Sequence, residues 1–270
     1  MLFSRCKFCG REDISSFLIV TRKRSCEYFR CSFCKAISLS DKDFLSRSQQ
    51  LQRYSHHNNT LEDLGYAKFL GEFLFNTFAA LPPFQLSGIL DYGSGPNPAL
   101  IQLLELVSKR QRQEKTVEKS VLWQEIQSLE SCVEYLAQML PVLPEKAFIG
   151  GWDPFFAPDG KKGQVPLVLC LEVAEHFEQP WEGFAGLAEC CCTGGFVAVG
   201  PLPIPDEMVT PDDFKKWWYK DDRTHVSFYT EKAMVACGKN CGMEYLGKAS
   251  SRIFLSLQIQ FKCFPVVVPQ

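Results

Sequence analysis

The chain has 270 residues, 46% hydrophobic and 22% charged, with a formal net charge of −2. That composition suits a globular protein with a sizeable core, and it excludes a chain that holds nucleic acid by bulk positive charge. No apolar run approaches the ~18 residues a membrane span requires, so no membrane contact is expected.

Met1-Leu2-Phe3-Ser4-Arg5-Cys6 lacks the apolar core of a secretion signal. Thirteen cysteines, an odd number, fit a reducing compartment with one metal site better than a disulfide framework. A cytoplasmic protein is therefore expected. Charge is uneven along the chain. Residues 1–40 hold eight Lys/Arg against three Asp/Glu, net +5, and the remainder holds 21 against 28, net −7. The basic head is either an RNA-facing surface or ordinary solvated lysines and arginines.

In chain order, residues 1–40 come first. Cys6-Lys7-Phe8-Cys9 and Cys31-Ser32-Phe33-Cys34 are two C-x2-C pairs separated by 21 residues. Each pair on a turn brings two thiolates together, and two such turns close a tetrahedral site. Phe17-Leu18-Ile19-Val20 and Tyr28-Phe29-Arg30 suit short strands between them. The spacing predicts a zinc ribbon with Cys6, Cys9, Cys31 and Cys34 as ligands, and Cys26 off the pattern. Four protein ligands leave no open position, so this Zn2+ is structural, and the module's folding depends on it.

Residues 41–85 read as a helical linker or cap, entered through Tyr54-Ser55-His56-His57-Asn58-Asn59 and continuing past Asp63, Gly65 and Tyr66. The third unit, 86–270, opens with Ile89-Leu90-Asp91-Tyr92-Gly93-Ser94-Gly95-Pro96-Asn97-Pro98, an apolar strand, an acidic residue and a glycine turn before a helix. Glycine lets backbone approach a nucleotide-like ligand closely. A dinucleotide fingerprint needs a third glycine where Pro98 stands, and a phosphate loop needs Gly-Lys-Ser/Thr, which the chain lacks.

Residues 105–147 read as an insertion. Lys109 to Lys119 is polar, and Trp123, Ile126, Leu129, Val133, Leu136 and Leu140 then recur at three- and four-residue steps. A helical hairpin or extended helix is expected there. Phe148-Ile149-Gly150-Gly151-Trp152-Asp153 is a second strand ending in an acid, much further from Asp91 than the ~20 residues usual between cofactor turn and ribose acid. Asp159 to Gln164 is loop-like, so a third strand is missing. Val165 to Leu171 is a near-continuous apolar run suited to a central parallel strand, followed by Glu172-Val173-Ala174-Glu175-His176-Phe177. Gly194 to Val199 reads as a further strand, with Cys190, Cys191 and Cys192 packing before it. Leu255 to Cys263 alternates apolar with polar residues and is expected as a half-exposed antiparallel strand.

Asp-x-Gly-x-Gly after an apolar strand resembles the first motif of the class I S-adenosylmethionine-dependent methyltransferases. The resemblance implies an α/β fold, a doubly wound, mostly parallel seven-stranded-type sheet with its third strand short or absent. It places Asp91, Gly93 and Gly95 against the methionine part of S-adenosylmethionine and Asp153 at the ribose hydroxyls. Glu172 and His176 stand where relatives carry groups near cofactor or substrate. Asn97 replaces a glycine common in the family.

Two further segments, Tyr54 to Tyr66 and Trp217 to Tyr229, look like those of a bacterial-type methyltransferase subfamily with an N-terminal zinc ribbon. Tyr54, His57, Trp217, Trp218 and Tyr219 are expected as an aromatic lid that excludes water. His225, with Asp221 or Asp222 orienting it, is either a general base or a loop-fixing residue; His57 and Asp222 complete the catalytic candidates. The direct displacement implied needs no catalytic metal. The acceptor is a small molecule, given the aromatic residues, or RNA, given the basic head. The alternative is a non-catalytic protein that keeps the fold for binding or assembly.

Overall fold

In a computed structural model the described residues are 5–20, 25–56, 59–113, 122–160 and 163–258. Six strands form the main sheet: β4 (Gly88–Tyr92), β5 (Phe148–Trp152), β6 (Val165–Leu171), β7 (Cys191–Gly200), β9 (Met243–Ser250) and β10 (Ile253–Gln258). Their order is β5-β4-β6-β7-β10-β9. The first four run parallel, and β10 lies antiparallel to both β7 and β9. This is the mostly parallel α/β sheet expected, with no strand among the described residues between β5 and β6 in sequence.

The apolar runs are continuous because both faces are covered. Ile89, Leu167, Leu169 and Ala198 face one core, shared with Leu70 of α2 (Leu64–Ala80), Leu103 of α3 (Ala99–Gln111) and Leu136 of α4 (Leu129–Met139). Their neighbours Leu90, Val168, Cys170 and Val199 face the other, with Leu187 of α5 (Pro180–Cys190) and Cys237 of α7 (Glu231–Asn240). The alternation of every second residue between two cores makes the sheet doubly wound.

Ile253, Phe254 and Leu255 are all buried, Ile253 and Leu255 in one core and Phe254 in the other. Of the alternating stretch Leu255 to Cys263, Leu255 is buried and Ser256 half-buried, and Ile259 to Cys263 lie outside the described residues. One expectation changes. The 105–147 stretch begins inside α3. Ser128 then starts α4 with a capping box, leaving Trp123 and Ile126 outside that helix, in and just after a 3-10 turn. The α4 helix packs on α2 and α3, and Gln111 Nε2 donates to the carbonyls of Ala137, Leu140 and Pro141 at its end.

A second sheet carries the cysteine module: β1 (Ile14–Val20), β2 (Ser25–Cys31), β3 (Ile37–Leu39) and β8 (Ser227–Phe228), in that order and antiparallel. Its fourth strand comes from the far end of the sequence. Lys7 donates to Glu178 O at 3.0 Å, Cys237 Sγ to Phe8 O at 3.5 Å, and the Phe8 and Tyr229 rings meet edge-on at 5.0 Å. The other α-helices among the described residues are α1 (Arg47–Tyr54) and α6 (Pro211–Lys216).

Candidate functional site

The carboxyl ends of β4, β5 and β6 open into a cleft of about 700 Å³, with Tyr54, Gly95, Asp153, Glu172, His176 and His225 in its wall. That volume lies within the usual range for small-ligand sites. Gly93 and Gly95 both adopt left-handed backbone, φ 88° and 68°, which a side chain disfavours. Gly93 N and Ser94 N donate to Trp152 O at 2.7 and 3.1 Å, so the turn is bound to the tip of β5. A Cβ on Gly93 would stand 2.5 Å from Val173 Cγ2, whereas one on Gly95 would meet nothing within 4 Å. Gly93 is thus a packing glycine, and Gly95 leaves backbone open to the cleft.

Asp91 is buried just beneath the cleft wall. Burial, with Asp153 adding repulsion, pushes its carboxyl up to about 7. Asp153 is bound by backbone: Oδ2 accepts from Gly95 N at 3.0 Å, and Oδ1 from Phe155 N and Phe156 N at 2.8 and 3.0 Å. Its carboxylate therefore joins the glycine turn to the loop after β5.

Glu172 takes left-handed backbone, φ 52°, a conformation that costs a non-glycine residue about 1–3 kcal/mol and concentrates at functional sites. It pairs with Arg252 from the β9–β10 turn. Tyr219 Oη donates to Glu175 Oε1 at 2.6 Å and lies 3.4 Å from Glu172 Oε2. Burial, then the neighbouring Glu175 charge, raises Glu172 to about 7, and burial raises Glu175 to about 7 against the Tyr219 bond. Glu175 is 0% exposed, and its Oε2 has no hydrogen-bond partner among the described residues.

His176 and His225 stand edge to face at 4.9 Å. His176 Nδ1 lies 3.0 Å from Thr224 O and His225 Nδ1 lies 2.7 Å from Tyr219 O. Because a carbonyl only accepts, both Nδ1 atoms carry a proton, and Nε2 is the lone-pair atom of each ring in its neutral form. Burial lowers the His176 pKa. The predicted orienting acids serve other residues. Asp222 Oδ2 accepts from Arg53 at 2.7 Å, and Oδ1 accepts from Thr224 N and Oγ1. Burial opposes its ionisation, yet these bonds hold its carboxyl well below the usual range. Asp221 pairs with Lys220. His225 Nδ1 is held by the Tyr219 carbonyl, and the charge of Asp222 lies close enough to act on the ring.

The aromatic lid is only partly formed as expected. Tyr54 lines the cleft and meets His176 edge-on at 5.4 Å. Trp218 lines it too and is 69% exposed. Trp217 and Tyr219 belong to a buried cluster with Phe214 and Phe228, while in the 3-10 turn Trp218–Asp221 Tyr219 and Lys220 are buried and Trp218 is not. His57 lies outside the described residues.

In the small sheet, one ligand atom from each of Cys6, Cys9, Cys31 and Cys34 lies within 4.8 Å of the others. Cys6 Sγ–Cys34 Sγ and Cys9 Sγ–Cys31 Sγ are both 3.6 Å, close to the ~3.8 Å edge of a tetrahedron with ~2.3 Å metal–sulfur bonds. The Cys34 hydrogen bond draws the Cys6 thiol down to about 5. Cys26 lies apart from the group, in the cluster with Tyr28 and Phe228.

Sequence reasoning passed over Arg252 and Glu175 as site residues, and named Tyr66 only as part of the segment that follows Tyr54. Burial, then the nearby Asp91 charge, raises the Tyr66 hydroxyl to about 12. Glu175 was visible in Glu-x-x-Glu-His-Phe, but its partner Tyr219 is 44 residues away. Arg252 carries no local motif.

No family model matches the chain, and no curated protein matches its sequence. Among solved structures it is similar to an O-methyltransferase family protein from Burkholderia thailandensis, at 12% identity over 79% of this chain and 64% of that one, TM-score 0.45. It is similar to human N-acetylserotonin methyltransferase in complex with SAM, at 11% identity over 80% and 57%, TM-score 0.42. A third is a chain of the complex between the Haloferax volcanii Trm112 methyltransferase activator and a methyltransferase, at 11% identity over 80% and 100%, TM-score 0.42. The chain spans about six-tenths of the length of the first two. At these identities and scores the likeness carries no argument about chemistry, which rests on the cleft itself.

Proposed function

We propose that the protein is an S-adenosylmethionine-dependent methyltransferase. The observation that carries this reading is the charge and shape of the cleft. A glycine turn exposes backbone at the tips of two parallel strands, and the wall holds Asp153, Glu172 and Glu175 against Arg252 as its one Arg or Lys among the described residues. Above about pH 7, where Glu172 and Glu175 ionise, such a wall repels phosphates and attracts a cationic ligand. A sulfonium nucleoside supplies the cation, and its adenosine suits the aromatic side chains nearby.

In the reaction the acceptor's lone pair attacks the methyl carbon as the carbon–sulfur bond breaks. The electron pair stays on sulfur, S-adenosylhomocysteine forms, and the acceptor's proton leaves to a base or to water. Holding donor and acceptor in line supplies much of the rate gain. The Nε2 lone pairs of His176 and His225 are the cleft's Lewis bases. Tyr54, Phe155 and Trp218 favour a small, unsaturated acceptor; RNA bound by the basic head is the other outcome, recognised by a steep loss of binding with salt.

We also assign the four-cysteine group to structural Zn2+ and the protein to the cytoplasm. No helix among the described residues is long and apolar enough to cross a membrane. Cys6, Cys9, Cys31 and Cys34 would hold the ion, and the small sheet they brace reaches the cleft through backbone. Leu39 N of the small sheet donates to Val226 O at 2.8 Å, and Val226 N donates to Glu175 O at 2.9 Å. The zinc module thereby holds His225 opposite Glu175.

Calorimetric titration of the zinc-loaded chain tests the reading. One equivalent of S-adenosylmethionine should bind while NAD+ and ATP give no heat. Binding of NAD+ or ATP in its place overturns it.

A further inference from the structure

We propose that Glu175, His176 and His225 form a second metal site, distinct from the four cysteines, that holds one first-row divalent cation in the wall of the cleft. One ligand atom from each of the three lies within 4.8 Å of the others. Ligands about 2.1 Å from one ion stand about 3–4 Å apart, so the group closes on a cation with movements of about an ångström or less.

Two independent features point to an ion. Glu175 is wholly buried, with Oε1 taken by Tyr219 and Oε2 without a partner among the described residues. A buried carboxylate oxygen left unpaired is costly, and a cation satisfies it. Both imidazoles also carry the arrangement that metal-bound histidines show. Each Nδ1 is held by a backbone carbonyl, Thr224 O and Tyr219 O, which fixes the ring and makes Nε2 the atom that would bind a metal.

Two imidazoles and one carboxylate suit Mn2+, Fe2+, Co2+ or Zn2+ better than Mg2+ or Ca2+, which favour all-oxygen shells. Three protein ligands leave positions open to the cleft, unlike the closed four-cysteine site. What the ion does there rests on the methyltransferase reading: an acceptor oxygen takes an open position, and its proton is lost to water because the metal lowers its pKa. The acceptor class is then a hydroxyl or enol rather than an amine or carbon. His225 serves as a ligand in that state and does not itself take the proton. The sequence reading expected metal at the cysteines alone, because direct displacement needs none.

The test titrates the full chain, carrying a single equivalent of Zn2+ for the four cysteines and no more because Zn2+ would outcompete Mn2+ at the second site, with Mn2+ and follows the free ion by electron paramagnetic resonance. One Mn2+ per chain should bind beyond the zinc. His176→Ala, His225→Gln and Glu175→Gln should each weaken it at least about tenfold, since loss of an outer partner alone costs that much, while circular dichroism and zinc content stay unchanged. No Mn2+ uptake by the parent protein, or equal uptake by all folded variants, overturns the site. Mn2+ binding without S-adenosylmethionine binding would leave the site standing and remove the methyltransferase reading.

Discussion

Gly93→Ala should damage both stability and donor binding, for reasons that separate into two parts. At φ 88° an alanine pays a left-handed penalty of about 1–2 kcal/mol. Its Cβ would also stand 2.5 and 2.7 Å from the two Val173 methyls, an overlap costing about 1–3 kcal/mol in a packed site. Together the loss is about 2–5 kcal/mol. Gly95→Ala, at φ 68° but facing open space, should cost only the first part. Because Val173 adjoins Glu172, displacing it also moves the carboxylate wall. Urea denaturation of the zinc-loaded protein reads the difference, and calorimetry reads donor affinity. Adding Val173→Ala to Gly93→Ala should recover about 1 kcal/mol or more through relief of the overlap. Equal costs at Gly93 and Gly95, or no recovery in the double variant, would refute the packing argument.

Other expectations follow from the same geometry. Asp91 has its folded pKa raised to about 7 against ~3.9 unfolded. The folded state therefore holds the proton more tightly, and this group's stabilisation, present at low pH, is lost as pH rises through about 7. Between pH 6 and 8 the loss is about 1 kcal/mol, and denaturation midpoints of Asp91→Asn should lack that slope. Trp217→Ala should cost about 3–5 kcal/mol, as its ring is buried. Trp218→Ala should leave the melting temperature nearly unchanged and raise the acceptor KM. Chelating the zinc should release β8 from β3, so the His225 resonances in an NMR spectrum should shift even though His225 is not a cysteine-site ligand; unchanged resonances would sever the proposed link.

The parallel strands were legible because β4, β6 and β7 are buried on both faces, and only such strands run apolar without alternation. The cysteine group was legible because zinc geometry imposes a spacing that random thiols rarely meet. Other features depend on partners far away in sequence. Alternation in Leu255 to Cys263 signals an antiparallel strand, but that β10 lies between β7 and β9 in the sheet is set by strand pairing that periodicity does not carry. Tyr219 and Trp218 are adjacent aromatics with opposite fates, decided by a 3-10 turn that periodicity does not mark. Asp222 sits three residues from His225, but Arg53 claims it, and a backbone carbonyl orients the imidazole. The extra strand of the small sheet, Ser227–Phe228, is too short to announce itself.

The most direct test of the central claim is transfer itself. The zinc-loaded protein, supplied with Mn2+ and S-adenosylmethionine labelled in its methyl group, is incubated with a small-molecule cell extract, and label and S-adenosylhomocysteine are counted. The account predicts stoichiometric appearance of both, with label in a small oxygen-methylated product, and loss of both in Gly93→Ala. Donor that remains intact across extract and RNA fractions alike would contradict it.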